Sequence, residues 1–394
     1  MQGFLSRCGL LRVSGVACLL CLSVQAAPAQ FKQPIGAEAV LRQVPSAVRQ
    51  STLITRHSEQ ERQKADAALA SGNLQTLPHW QGSFSIAGKR YRYTILGGKP
   101  DASGTTEIKT VIVPIRLTIS DFSENGKSPL VLDATQLAGK ILHSPIFRES
   151  NYITGFQQFG DAMLRAEFPL APADWHTILT PTVGSTMDIT VAPGDSQVLR
   201  AKSGKLLAVV RDNAVDDPIF AAMQSGKYSP DQYVIFVTYN ALEEDAFGYH
   251  DAVFNDAKNQ EHVFTYSSWL EDVDDLFTIP SPNATTLSHE VAETIHDAFL
   301  AKLSSRTLLW GDPFDHNRCF QSFIEVGDAV EDAPAHIQLH QQVVGSGKNA
   351  RIYTLQNEAL LQWFQRKSPS DALAGAYSFP DIWVLTDPAP LTCK

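Results

Sequence analysis

Residues 281–299, SPNATTLSHEVAETIHDAF, constrain this chain more than any other stretch, because His289, Glu290 and Glu293 at their centre read H-E-x-x-E. A helix turns about 100° per residue, so a helix here stacks His289 over Glu293 and sets Glu290 roughly a quarter-turn away. Whatever the chain builds must either leave that polar face in water or gather it around something that needs two carboxylates and an imidazole. The first possibility is an amphipathic surface helix, for which short H-E-x-x-E matches are common. The second is a metal site.

The metal reading has a definite chemistry. In the zinc-hydrolase pattern H-E-x-x-H, the side chains at i and i+4 are ligands and the Glu between them is the general base toward a water activated by the ion. Here Glu293 stands in the second ligand position. A carboxylate oxygen is an acceptable zinc ligand, so the change keeps the site while lowering its charge by one. A catalytic zinc needs a third protein ligand and keeps its fourth position open. His296 and Asp297 share the helix face, but three ligands along one straight helix would span about 10 Å, too far to close around one ion. Glu325 and Asp328 in FIEVGDAVED follow His289 by 36 and 39 residues, enough for a turn and a return past the helix. His250 in GYHDA lies upstream on an expected strand. The ordinary readings of these residues are a hairpin histidine for His250 and a helix or turn cap for Asp328. Asn283-Ala284-Thr285 matches a glycosylation sequon, but Asn283 just before a helix reads first as an N-cap.

Compartment narrows the reading further. The first 29 residues carry Arg7 and Arg12, no acidic residue, an apolar run from Val13 to Val24 and small residues suited to cleavage. This is the pattern of a secretory signal peptide, and its apolar run is too short for a membrane span. The expected mature protein is therefore secreted or periplasmic, without a membrane anchor. Removing the two arginines from the 32 basic residues leaves 30 against 42 acidic ones, a balance that argues against nucleic acid as a partner. Cys8, Cys18 and Cys21 leave with the signal, so Cys319 and Cys393 are expected to form one disulfide in an oxidising compartment. Closing a loop of that length is worth about 4 kcal/mol in the chain-entropy model.

Along the chain, residues 30–78 read as a polar helical segment, a cap or a pro-segment, with helices over Ala37 to Gln50 and Ser58 to Leu69. Strands follow from Trp80: GSFSIAG and KRYRYTILGG as a hairpin, then the β-branched run TVIVPIRLTI at 110–119. Pro114 inside that run favours an edge strand or a bulge. GFQQFGDAMLRA at 155–166 places Phe156, Phe159, Met163 and Leu164 at helical spacing, with that face in the core. STMDITVAPG, KLLAVVRD and YVIFVTYN are further strands, and GYHDAVF and HVFTYSSWL pair immediately before the motif helix. Strands followed by a helix bearing the motif give an α+β class with a zincin-like mixed sheet and an active-site helix over residues 79–394. GSGK at 345–348 lacks the first Gly and the Ser or Thr of a phosphate loop, and no G-x-S-x-G elbow is present.

The run LSHEVAETIHD followed by EVGD resembles the H-E-L-A-E-A-x-T-D and E-I-G-D pair of a group of secreted zinc-peptidase-like proteins of bacteria and fungi. More distantly it is similar to the plant phosphate-induced protein or Exordium family, in which a GYH segment also precedes H-E-L-A-E. The similarity covers roughly 235–335. It implies His289 and Glu293 as ligands of Zn2+, Glu290 as base, Glu325 and Asp328 as the later acidic pair and His250 near the site. His296 departs from the usual Thr, and no Pro follows Asp297, so the helix is free to run on through Leu300. The resulting expectation is a secreted zinc metallopeptidase acting on a peptide or protein. Its rival is a secreted binding or cell-surface protein on the same scaffold without catalysis. The sequence leaves the oligomeric state open.

Overall fold

The computed structural model describes residues 57–123, 129–244, 246–299, 308–315 and 318–390. The expected signal peptide, the helix over 37–50 and Cys393 lie outside them. The protein is mixed α+β, built around a sheet of seven strands.

Helix α1 (Glu59–Ser71) opens with a capping box, in which Ser58 Oγ accepts from the Glu61 N–H and the Glu61 carboxylate returns to the Ser58 N–H. It ends at Gly72, whose φ of 71° is the left-handed conformation a helix stop favours. Strands β1 (His79–Ile86) and β2 (Lys89–Leu96) form the expected hairpin, turning at Ala87-Gly88.

The long strand β3 (Thr105–Ile119) is the axis of the main sheet. On one side it pairs antiparallel with β4 (Leu130–Asp133) and parallel with β7 (Gln232–Tyr239); on the other it pairs parallel with β5 (His176–Val183) and then β6 (Met187–Val191). Strand β9 (Gln260–Trp269) lies parallel to β7, and β8 (Gly248–Asn255) closes that side as an antiparallel outer strand. The edge position expected for Pro114 is thus incorrect: its strand is central. The sheet accommodates the proline because pairing with β5 ends at Ile112, pairing with β6 begins at Ile115, and the Ile112 carbonyl, on the same side as residue 114, already accepts from Gly184. The missing N–H falls where one neighbour hands over to the next.

Apolar residues on alternate positions supply both faces. Tyr233, Ile235 and Val237 of β7 join the core beneath the motif helix, while Val234 and Phe236 join a second core beneath helix α3 (Asp212–Gln224). Helix α2 is shorter and later than expected, Phe159–Glu167, because Gly155 at φ 131° forms a small hairpin instead. Phe156, on the outward side of that hairpin, is 60% exposed and does not belong to the core.

The motif helix α4 (Thr285–His296) lies against β8 and β9, and its Leu287, Val291 and Ile295, spaced one turn apart, join the core. It ends at His296, with Asp297 leaving the helical conformation at φ −154°, so it does not continue to Leu300. Nor is Asn283 its N-cap. Asn283 has φ 43°, and its side-chain oxygen accepts from Ala284 N and Thr354 N, tying the helix start to the strand β10 (Arg351–Gln356).

Candidate metal centre

Every residue of α4 is buried, which rules out the amphipathic surface helix. Its apolar side faces the core, and its polar side faces a cluster assembled from three further parts of the chain. Strand alternation sends Gly248, His250 and Ala252 of β8 toward the helix and Tyr249, Asp251 and Val253 away from it. Gly248 is required at this approach, since a Cβ there would stand 2.9 Å from Glu290 Cγ and 2.8 Å from the Tyr266 carbonyl. The loop Glu325–Gly327 and the short helix α5 (Asp328–Glu331) come in from the other side. Gly327 passes so close to His289 that a Cβ would stand 2.6 Å from its Nδ1.

The six residues singled out in the sequence converge here, and none is more than 9% exposed. Glu293 is central. Its Oε2 lies 3.3 Å from His289 Nε2 and 3.4 Å from His250 Nδ1. Its Oε1 accepts from Gly327 N at 3.1 Å and Asp328 N at 3.2 Å, so the backbone orients the carboxylate. Glu290 spans both rings, at 3.9 Å from His289 Nε2 and 3.6 Å from His250 Nδ1. Glu325 Oε2 is 3.6 Å from His250 Nε2, and Asp328 Oδ1 is 3.8 Å from His289 Nε2. The later acidic pair therefore divides, Glu325 beside His250 and Asp328 beside His289.

Two groups, His250–Glu293–Glu325 and His289–Glu290–Glu293, each present ligand atoms within 4.8 Å of one another, and either buried set could hold a metal ion. The fit is geometric as well as chemical: ligand bonds of about 2.0–2.1 Å in a tetrahedron place neighbouring donors about 3.3–3.4 Å apart. Without an ion the groups pair with each other. Burial disfavours the His289 imidazolium, but Glu293 and Glu290 outweigh it and hold its pKa well above the ordinary histidine value. Burial likewise opposes the Glu293 carboxylate, and His289 and His250 together bring its pKa well below the usual range.

The helix is fixed at both ends of its polar side. Ser288 Oγ accepts from Gln356 N at 2.9 Å, and Gln356 Nε2 donates to the Gly327 carbonyl at 2.8 Å, linking helix, strand and loop. His296 points away from the cluster, donating from Nδ1 to the Ala292 carbonyl at 2.6 Å and meeting Glu167 Oε2 of α2 through Nε2 at 3.0 Å. It is excluded as a ligand of this site by that engagement.

One carboxyl was not anticipated from the sequence. Glu358 is fully buried, and neither of its oxygens has a hydrogen-bond partner among the described residues. Burial pushes its pKa well above the carboxylate range; His289 opposes this, and Glu293, Glu290 and Asp328 add to it. The available signal was an acidic residue opening the apolar run EALLQWF.

Comparison with known protein families, with curated proteins and with solved structures found no match for this chain.

Proposed function

We propose that this protein is an exported zinc-dependent hydrolase that cleaves peptide bonds on a zincin-like scaffold. The observation that carries the reading is the Glu293 carboxylate oxygen set 3.3 Å and 3.4 Å from two imidazole nitrogens that come from different elements. His289, Glu293 and one of the two later carboxylates, Glu325 beside His250 or Asp328 beside His289, would hold the ion. A bound Zn2+ supplies Lewis acidity, polarising a carbonyl and acidifying a water. The chain's own part is positional and protonic. Glu290, beside both imidazoles, accepts the proton of the attacking water and returns it to the leaving nitrogen. His250 faces the Glu290 and Glu293 carboxylates and is placed to offset charge as it develops. The outer antiparallel strand β8 above the motif helix is the arrangement that favours a zincin-like scaffold, and the sequence of residues 1–29 supports export.

The test is Glu290→Gln, which keeps the shape of a side chain that is not required to bind the ion. Zinc content should stay at the parent level, while cleavage of a fluorogenic peptide library should fall about 10²–10⁴-fold, the usual contribution of a general base. His289→Ala should lose both. Full activity in the Gln variant would refute the mechanism. The depth of burial favours one rival: closed sites are commonly structural, and zinc bound without hydrolysis of any library member would mark a binding protein on this scaffold.

A further inference from the structure

We infer that the cluster seats two divalent metal ions that share the Glu293 carboxylate, one at His289 and one between His250 and Glu325. The inference rests on the metal reading above and extends it from one ion to two.

The donors fall into two sets rather than one. The two imidazoles belong to different groups of mutually close ligand atoms, and Glu293 is a member of both. Each ring also has its own second carboxylate: Asp328 Oδ1 is 3.8 Å from His289 Nε2, whereas Glu325 Oε2 is 3.6 Å from His250 Nε2. The His250 ring has a carboxylate beside each nitrogen. It meets Glu293 through Nδ1 at 3.4 Å and Glu325 through Nε2 at 3.6 Å, and an imidazole directs its two nitrogens away from each other. The two rings belong to no common group of close ligand atoms, so an ion at His289 does not also draw in Glu325, whereas His250, Glu293 and Glu325 form a group of their own. Two ions about 3.5–4 Å apart, the usual spacing of paired metal sites, would give each ring its own ion with Glu293 common to both.

The number of carboxyls points the same way. Glu290, Glu293, Glu325 and Asp328 are all at least nine-tenths buried around two imidazoles, and Glu358 adds a fifth carboxyl with neither oxygen hydrogen-bonded among the described residues. A single zinc site is normally completed by three protein ligands and a water. The surplus fits a paired site, where Glu290 lies between both seats at 3.9 Å and 3.6 Å from the two rings and remains available as the base. Carboxylate-rich shells also suit Mn2+, which gives the pair a spectroscopic probe.

The experiment is metal counting on the full mature chain, stripped and reloaded with Zn2+ or Mn2+, by native mass spectrometry, with electron paramagnetic resonance of the Mn2+ form. The expected result is two ions per chain and an exchange-coupled Mn2+ spectrum. Glu325→Gln, close in shape to the parent, should reduce the count to one and replace the coupled spectrum by that of an isolated ion; His250→Ala should do the same. One ion per chain with an uncoupled spectrum in the parent overturns the inference and leaves the single-ion hydrolase reading standing. No bound ion overturns both. If either variant fails to fold, the parent's count and spectrum decide alone.

Discussion

Glu167→Gln and Glu167→Ala should have very different costs, and the reason lies in which atoms of Glu167 do which work. Oε2 meets His296 Nε2 at 3.0 Å, and Oε1 accepts from Leu361 N at 2.7 Å. Both side chains are fully buried. In Glu167→Gln, the amide oxygen can keep the Leu361 bond, and the amide N–H can donate to His296 Nε2 once that ring is neutral, because its Nδ1–H is already given to the Ala292 carbonyl. Every polar atom stays paired, and the loss should be about 1 kcal/mol, the difference between a charged and a neutral hydrogen bond. In Glu167→Ala, the buried Leu361 N–H loses its acceptor, a cost of about 1–3 kcal/mol, and His296 either stays charged without a partner or gives up its proton. A total near 3 kcal/mol follows, toward the lower end of the range for breaking a buried pair because the ring can escape to neutrality. The pH dependence carries the same logic. Burial lowers the His296 pKa, Glu167 more than compensates, and the folded value ends above the ordinary 6.5. Its contribution to stability is thus fully present below pH 6.5 and is lost as pH rises through the folded value, whereas the Gln variant should show no such decline in that window. Urea unfolding of parent and both variants at pH 6 and pH 8.5, followed by tryptophan fluorescence, measures all of this. Equal destabilisation by Gln and Ala would refute the hydrogen-bond assignment, and a parent and Gln variant with identical pH profiles would refute the charged pair.

Two further outcomes are expected. Gly327→Ala should leave the protein folded but weaken Zn2+ binding by at least about 10-fold, the scale of a change just outside the ligand shell, because its Cβ would stand 2.6 Å from His289 Nδ1; unchanged affinity in a competition titration against a chromophoric chelator would show that the loop does not brace the ring. Cys319 and Cys393 should be bonded in the exported protein: Gly311 pairs with Cys319 in one hairpin and also donates to the Pro390 carbonyl at 3.0 Å, which brings the chain to within three residues of Cys393 alongside it. Two free thiols per chain in a denaturing, non-reducing titration would disprove the pairing.

The parts of this site that could be read in the sequence are those whose geometry is local. The spacing of His289 and Glu293 survives any tertiary arrangement that keeps the segment helical, and GYHDAVF and HVFTYSSWL pair because alternation and a short connection suffice. Reading failed where a neighbour decided. Pro114 reads as an edge residue from its own strand, but the handover from β5 to β6 removes the need for its N–H. Phe156 matched a helical period until Gly155 turned the chain. Glu325 and Asp328 read as one pair because they are close in sequence, yet they flank the turn through Gly327 that passes close to the His289 ring, and each meets a different imidazole. Glu358 was invisible for the opposite reason. No local pattern marks it, and its role follows only from β10 pinning the end of the motif helix through Ser288 and carrying the next residues into the same buried space. Five carboxyls buried in one cluster are offset in part by the two imidazoles among them, and the metal binding proposed above would offset the remainder.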